Sequence, residues 1–121
     1  MPSDDKRKDL EIDACKAIRY PLNAEIEHVC RILNLKEETE KKVLRIYFKL
    51  LKITYSQSKW YSYKPQTIIG GCVYLGCRLE GEAISERDVA AATDVSEQSI
   101  RKRYQEIAEI LEIPKNVIPR S

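Results

Sequence analysis

The apolar positions along this chain recur at helical intervals and nowhere alternate as a half-buried strand does. From Lys6 to Tyr20, Leu10, Ala14, Ala17 and Ile18 gather on one side, a weak helix that Pro21 ends. From Asn23 to Leu33 the pattern is Ile26, Val29, Cys30 and Leu33. From Glu37 to Ile53 it is Val43, Leu44, Tyr47, Leu50 and Leu51, after an acidic first turn that suits the helix dipole. Tyr55 to Tyr63 has no helical period, and Pro65 suits the first turn of a new helix. Thr67 to Glu80 is apolar nearly all round, the mark of a buried rod. Gly70, Gly71 and Gly76 lower its helix propensity, so they are expected where neighbouring helices approach closely. Gly81 is a natural C-cap.

The next segment is the most informative. Ser85-Glu86-Arg87-Asp88 is a capping-box pattern with Asp in the usual place of Glu. It predicts a short helix, Ser85 to Ala92, then a tight turn, Thr93-Asp94-Val95, in which Asp94 tolerates left-handed backbone. Ser96 then caps a longer helix reaching about Leu111, with Ile100, Tyr104, Ile107 and Leu111 facing inward. Ala90 lets the two helices cross closely, and Val95 and Ile100 fill their junction. This is helix-turn-helix architecture. The outward face presents Gln98, Ser99, Arg101, Lys102 and Gln105. Arg can read guanine edges, Gln adenine edges, and Lys meets phosphates; the start of a helix adds backbone N–H groups. Residues 113–121, with Pro114 and Pro119, read as an extended tail. The organisation is thus an N-terminal helical extension (1–20), one all-α domain (21–112, helix-turn-helix 85–111) and a tail (113–121).

Charge narrows the picture. The chain has 121 residues and a net charge of +2, which excludes nucleic-acid binding by bulk electrostatics. Residues 1–64 carry 14 basic and 10 acidic side chains, whereas residues 65–121 carry 7 and 9. Glu86, Asp88, Asp94, Glu97, Glu106 and Glu109 crowd the helix-turn-helix and repel phosphate unless they point elsewhere. With one histidine, His28, no paired-carboxylate motif and no phosphate loop, an enzyme is not expected. No two of Cys15, Cys30, Cys72 and Cys77 have zinc-site spacing, so reduced core thiols are expected, with no metal or cofactor. The longest nearly apolar run, Ile68 to Cys77, is too short to span a bilayer, so no membrane role is expected. Trp60, with Tyr55, Tyr61 and Tyr63, either closes a gap over the core or stacks on a partner. Lys41, Lys42, Arg45, Lys49 and Lys52 form a basic helix face, either solvated surface or a second phosphate contact.

Tyr74-Leu-Gly-Cys-Arg-Leu-Glu-Gly81, followed by Ser85 to Tyr104, resembles the cyclin-like repeat of transcription factor IIB. It is most similar to the second repeat of the archaeal factors. That repeat has small residues on its central helix, then Leu-Glu-Gly, then a helix-turn-helix ending in Thr-Ile-Arg-x-Arg-Tyr-x-Glu. The corresponding piece here is Ser99-Ile-Arg-Lys-Arg-Tyr-Gln-Glu106. The resemblance covers Pro21 to Leu111; its specific motifs start at Tyr74. It implies a single five-helix cyclin fold with the third helix at the centre. It also implies recognition of double-stranded promoter DNA beside the TATA box, contact with TATA-binding protein, and RNA polymerase as a further partner. The protein is then a monomer of the archaeal nucleoid, or nuclear if eukaryotic. By position, Ser96, Gln98, Ser99 and Arg101 face bases, while Lys102, Arg103 and Gln105 serve phosphates or packing.

The chain departs from that pattern in several places. Gln98 stands where the family has Val or a similar residue, and Asp94 where it has the turn glycine. Helix three starts Ile68-Ile69-Gly70-Gly71, and Trp60-Tyr61-Ser62-Tyr63 replaces a short loop. These 121 residues hold neither a paired-cysteine zinc ribbon nor the family's first cyclin repeat, so an excised domain and a single-repeat relative both remain open. The rival function is a cyclin-like adaptor, or a single-repeat regulator, that contacts proteins without reading DNA sequence.

Overall fold

The computed structural model describes residues 22–54 and 64–114. These form five helices and no strand: α1 over residues 22–32, α2 (Glu37–Thr54), α3 (Pro65–Glu80), α4 (Glu86–Thr93) and α5 (Glu97–Ile110). The expected N-terminal helix, the aromatic cluster Tyr55 to Tyr63 and most of the tail lie outside the described residues.

The predicted rod is α3. Eleven consecutive residues, Thr67 to Cys77, are buried, and α3 packs against α2, α4 and α5. Proline stands in its first turn and Gly81 closes it at φ 72°. Each of its interior glycines faces a neighbour. A Cβ on Gly76 would strike Val43 of α2 and stand 3.2 Å from its Cα. A Cβ on Gly70 would collide with Ile100, and one on Gly71 would come within 2.8 Å of Ile107 Cδ1. So the glycines sit where α2 and α5 press on the rod.

From α1, Leu22, Ile26, Val29 and Cys30 enter the core. From α2 the buried set is Val43, Ile46, Tyr47 and Leu50, with Thr39. The pattern had placed Leu44 and Leu51 in that stripe and passed over Ile46; both leucines lie at its edge, partly buried. The turn after α1 uses Asn34 at φ 56°, and Lys36 N–H donates to Glu82 Oε2 at 2.8 Å, tying it to the α3–α4 connection. Cys30, Cys72 and Cys77 are buried free thiols. Burial holds Cys30 and Cys77 up at about 12 and raises Cys72 as well, so all three stay protonated as packing groups.

The start of α4 is a closed capping box. Asp88 N–H donates to Ser85 Oγ at 3.1 Å, and Ser85 N–H donates to Asp88 Oδ2 at 3.0 Å. These bonds hold the Asp88 carboxyl below its ordinary value. Ser96 caps α5, accepting from Ser99 N–H at 3.1 Å.

Two predictions follow from this packing. Gly76→Ala lowers the urea midpoint, by about 1–3 kcal/mol of stability, because the backbone of Val43 must move. Gly71→Ala costs less than Gly76→Ala, because the atoms it would meet are side-chain atoms, Ile107 Cδ1 at 2.8 Å and the Arg103 stem at 3.1 to 3.2 Å, rather than backbone, and alanine favours the helix. Equal losses at the two sites would refute this account of α3. Ser85→Ala costs about 0.5–2 kcal/mol through loss of the α4 cap. The Asp88 contribution is complete above the ordinary carboxyl value and vanishes as pH falls through the lowered one. The stability gap between parent and Ser85→Ala should therefore narrow in acid denaturation series.

Candidate nucleic-acid interface

The elements α4 and α5 meet as a helix-turn-helix. Asp94 ends α4 in the left-handed region, φ 59° and ψ 42°, where a β-branched residue would be strained. Val95 N–H then donates to Ala90 O at 3.2 Å, and Thr93 Oγ1 donates to Val89 O at 2.7 Å inside the core. Ala90 is buried at the crossing, and Ile100 fills the junction completely. Tyr104 reaches Tyr74 of α3 edge-on, ring centres 4.8 Å apart.

With Ile100, Ile107 and Ala108 turned inward, Gln98, Lys102 and Gln105 stand exposed. At about 100° per residue they fall within about 60° of one another, opposite Ile100 and Ile107. The other predicted site residues are differently employed. Ser96 accepts from Ser99 N–H and donates its hydroxyl to Ser99 Oγ at 2.9 Å, so both serve the helix cap, and Ser99 is half-buried. Arg101 is exposed but engaged. Its Nε and Nη2 donate to the Glu86 carboxylate at 2.7 to 3.2 Å.

Arg103 turns away from the phosphate-facing set. Its side chain is 12% exposed, its Nε donates to Thr67 Oγ1 at 3.2 Å, and it pairs with Glu106. The stem lies over Gly71, which leaves it room. Of the two roles expected for Arg103, phosphate contact and packing, this position serves packing between α5 and α3. The register explains it: Arg103 sits beside Ile100 and Ile107 rather than across from them.

The crowded acids are mostly accounted for. Glu86 is drawn to Arg101, Asp88 into the capping box, Glu97 to Arg87 at 3.5 Å, and Glu106 to Arg103. Asp94 makes the turn, and Glu109 stands exposed near the far end of α5. The Glu86 and Glu97 pairs both bridge α4 and α5, so they also brace the motif. Neither was legible in spacing, since the partners lie ten or more residues apart. Lys64 was missed for the same reason. It lines a cleft of about 640 Å³ with His28, Gln66, Ser96 and Ser99, beside the start of α5. No helix is long and apolar enough to cross a membrane among the described residues.

Comparison with known proteins agrees with this geometry. The family model described as the transcription factor TFIIB repeat matches residues 21–110. The transcription initiation factor IIB of Pyrodictium occultum is 27% identical over 100 residues, covering 80% of this chain and 31% of that protein. That of Pyrococcus furiosus is 32% identical over 81 residues, covering 67% and 26%. That of Methanosarcina mazei is 32% identical over 88 residues, covering 73% and 25%. This chain spans less than a third of the length of each. These relatives are archaeal transcription initiation factors rather than enzymes. Five helices around an apolar α3, a closing helix-turn-helix and a match over residues 21–110 lead to one conclusion: this chain belongs to the transcription factor IIB repeat family.

Proposed function

We propose that this domain acts in transcription initiation by reading promoter DNA beside the TATA box through α5 while TATA-binding protein holds it in place. The observation that carries the reading is the outer face of α5. Gln98, Lys102 and Gln105 stand exposed together there, while Glu86, Glu97 and Glu106 are drawn into pairs with arginines.

A recognition helix meets bases chiefly through its N-terminal turns. Gln98 lies in the first turn of α5 and can pair with an adenine edge. Lys102, one turn on, suits a phosphate. The Glu86 pair occupies Nε and Nη2 of Arg101, which leaves Nη1 for a base or a phosphate. Lys64 adds a cation beside the α5 start. Glu109 falls on the same face but about three turns beyond Gln98. With few cations available, affinity for DNA alone is weak and falls with salt. That weakness makes a DNA-bound protein partner part of the reading. The names of the relatives support it, as transcription initiation factors.

The test is a titration of labelled duplex carrying a TATA box, with and without TATA-binding protein, across salt concentrations. Gln98→Ala weakens the preferred duplex by about 1–3 kcal/mol and relaxes base preference at one position. Lys102→Ala weakens all duplexes alike and lowers the salt slope by about 1. Arg103→Ala lowers thermal stability and leaves base preference unchanged. Absence of duplex binding at low salt, with and without TATA-binding protein, would overturn the proposal. Binding to TATA-binding protein alone, unaffected by Gln98→Ala and Lys102→Ala, would establish the adaptor reading instead.

A further inference from the structure

The largest concentration of positive charge lies on α2, away from the residues assigned to DNA. From Lys41 to Thr54 this helix carries five cations and no acid, in a chain whose net charge is +2. At about 100° per residue, Lys41, Arg45, Phe48 and Lys52 project within about 60° of one another. That direction is opposite the buried stripe of Val43, Ile46, Tyr47 and Leu50. Lys41 meets Glu37 at 3.3 Å, but both side chains are mostly exposed, so the pair holds little. Among the described residues no acid pairs with Arg45, Lys49 or Lys52.

An apolar pair sits among these cations. Phe48 is the only phenylalanine in the sequence and is 45% exposed on the side of α2 that faces away from the core. Leu44, one turn earlier, is partly buried beside it. With Lys41, Arg45, Lys49 and Lys52 they line a shallow groove of about 430 Å³. Phe48 touches the ring of buried Tyr47, ring centres 5.6 Å apart, yet stays 45% exposed, and core packing does not explain the absence of acids around it. A solvated helix face ordinarily intersperses both charges, and this one carries a single sign around its apolar pair.

We propose that this face of α2 docks an acidic amphipathic segment of a protein partner. Apolar side chains of that segment seat on Leu44 and Phe48, and its carboxylates meet Arg45, Lys49 and Lys52. The spacing of Leu44 and Phe48, one helical turn apart, suits an apolar stripe repeating at the same interval. Duplex DNA satisfies the cations but gives Phe48 no apolar partner. A single strand can stack a base on one ring, yet Leu44 beside it offers no stacking surface. A partner carrying both acids and aliphatic side chains uses the whole groove. This inference does not rest on the DNA reading, which concerns α5.

The test uses the full chain and a fluorescent helical peptide with leucines one turn apart flanked by glutamates. A control peptide replaces the leucines with serines at equal charge. The leucine peptide should bind about tenfold more tightly than the serine control, as an anchored contact requires. Phe48→Ala should weaken the leucine peptide by a similar factor while leaving the serine control unchanged. Arg45→Glu with Lys49→Glu should abolish binding of both. All three residues are exposed, so an unchanged circular dichroism spectrum and melting temperature certify the fold of each variant. Amide shifts on peptide addition should concentrate on α2 rather than α5. Equal affinity for the two peptides would reduce the patch to bulk charge and overturn the proposal. So would failure of the leucine peptide to bind at low salt, or tighter, Phe48-dependent binding of a single-stranded oligonucleotide.

Discussion

The close approach of neighbouring helices to α3 governs the architecture. A helix buried on all sides must be thin where its neighbours cross it, and three glycines provide that. Gly76 admits α2 through Val43, and Gly70 and Gly71 admit α5 through Ile100 and Ile107. The contacts are reciprocal: the side chains that fill the notches on α3 are themselves completely buried. The helix-propensity cost of glycine is therefore offset by apolar burial on both of those sides of the rod.

The same contacts orient the functional face. Once Ile100 and Ile107 are seated on α3, the rotation of α5 about its own axis is determined, and Gln98, Lys102 and Gln105 have only solvent to face. Arg103 follows from the same rotation. Its position beside the seated isoleucines carries its guanidinium to Thr67 and Glu106, so a basic triplet that looks uniform in sequence divides into one partly buried cation and two exposed ones. The turn contributes as well, since Asp94 takes the left-handed conformation that lets α4 and α5 cross over Ala90.

Electrostatics explain how a net-acidic half can present Gln98, Lys102 and Gln105 with few free carboxylates beside them. The acids near α5 are spent on internal pairs, Glu86 with Arg101 and Glu97 with Arg87 across the two helices. These exposed pairs contribute little to stability individually. Their larger effect is on the local field, because each holds a carboxylate near a guanidinium instead of toward a ligand. Arg101 is consequently both a brace and a candidate contact, a dual use visible only when both helices are in place. On α2 the opposite holds: cations from Arg45 onward are left without described partners.

By itself the sequence determined whatever depends on near neighbours along the chain. The helices from 22 to 110, the Ser85–Asp88 capping box, the Ser96 cap, the Asp94 turn and the buried character of α3 all follow from residues within one or two turns of each other. Hydrogen bonding and periodicity act over that range, so the pattern carries the answer. The motifs from Tyr74 onward were enough to point to the family. Tertiary structure alone decided which residue of each stripe reached full burial, as with Ile46 over Leu44. It alone turned Arg103 to Thr67, 36 positions away, and Arg101 to Glu86, 15 positions away. Those outcomes depend on the crossing of whole helices, and a crossing is set by the fit of surfaces that no local window contains.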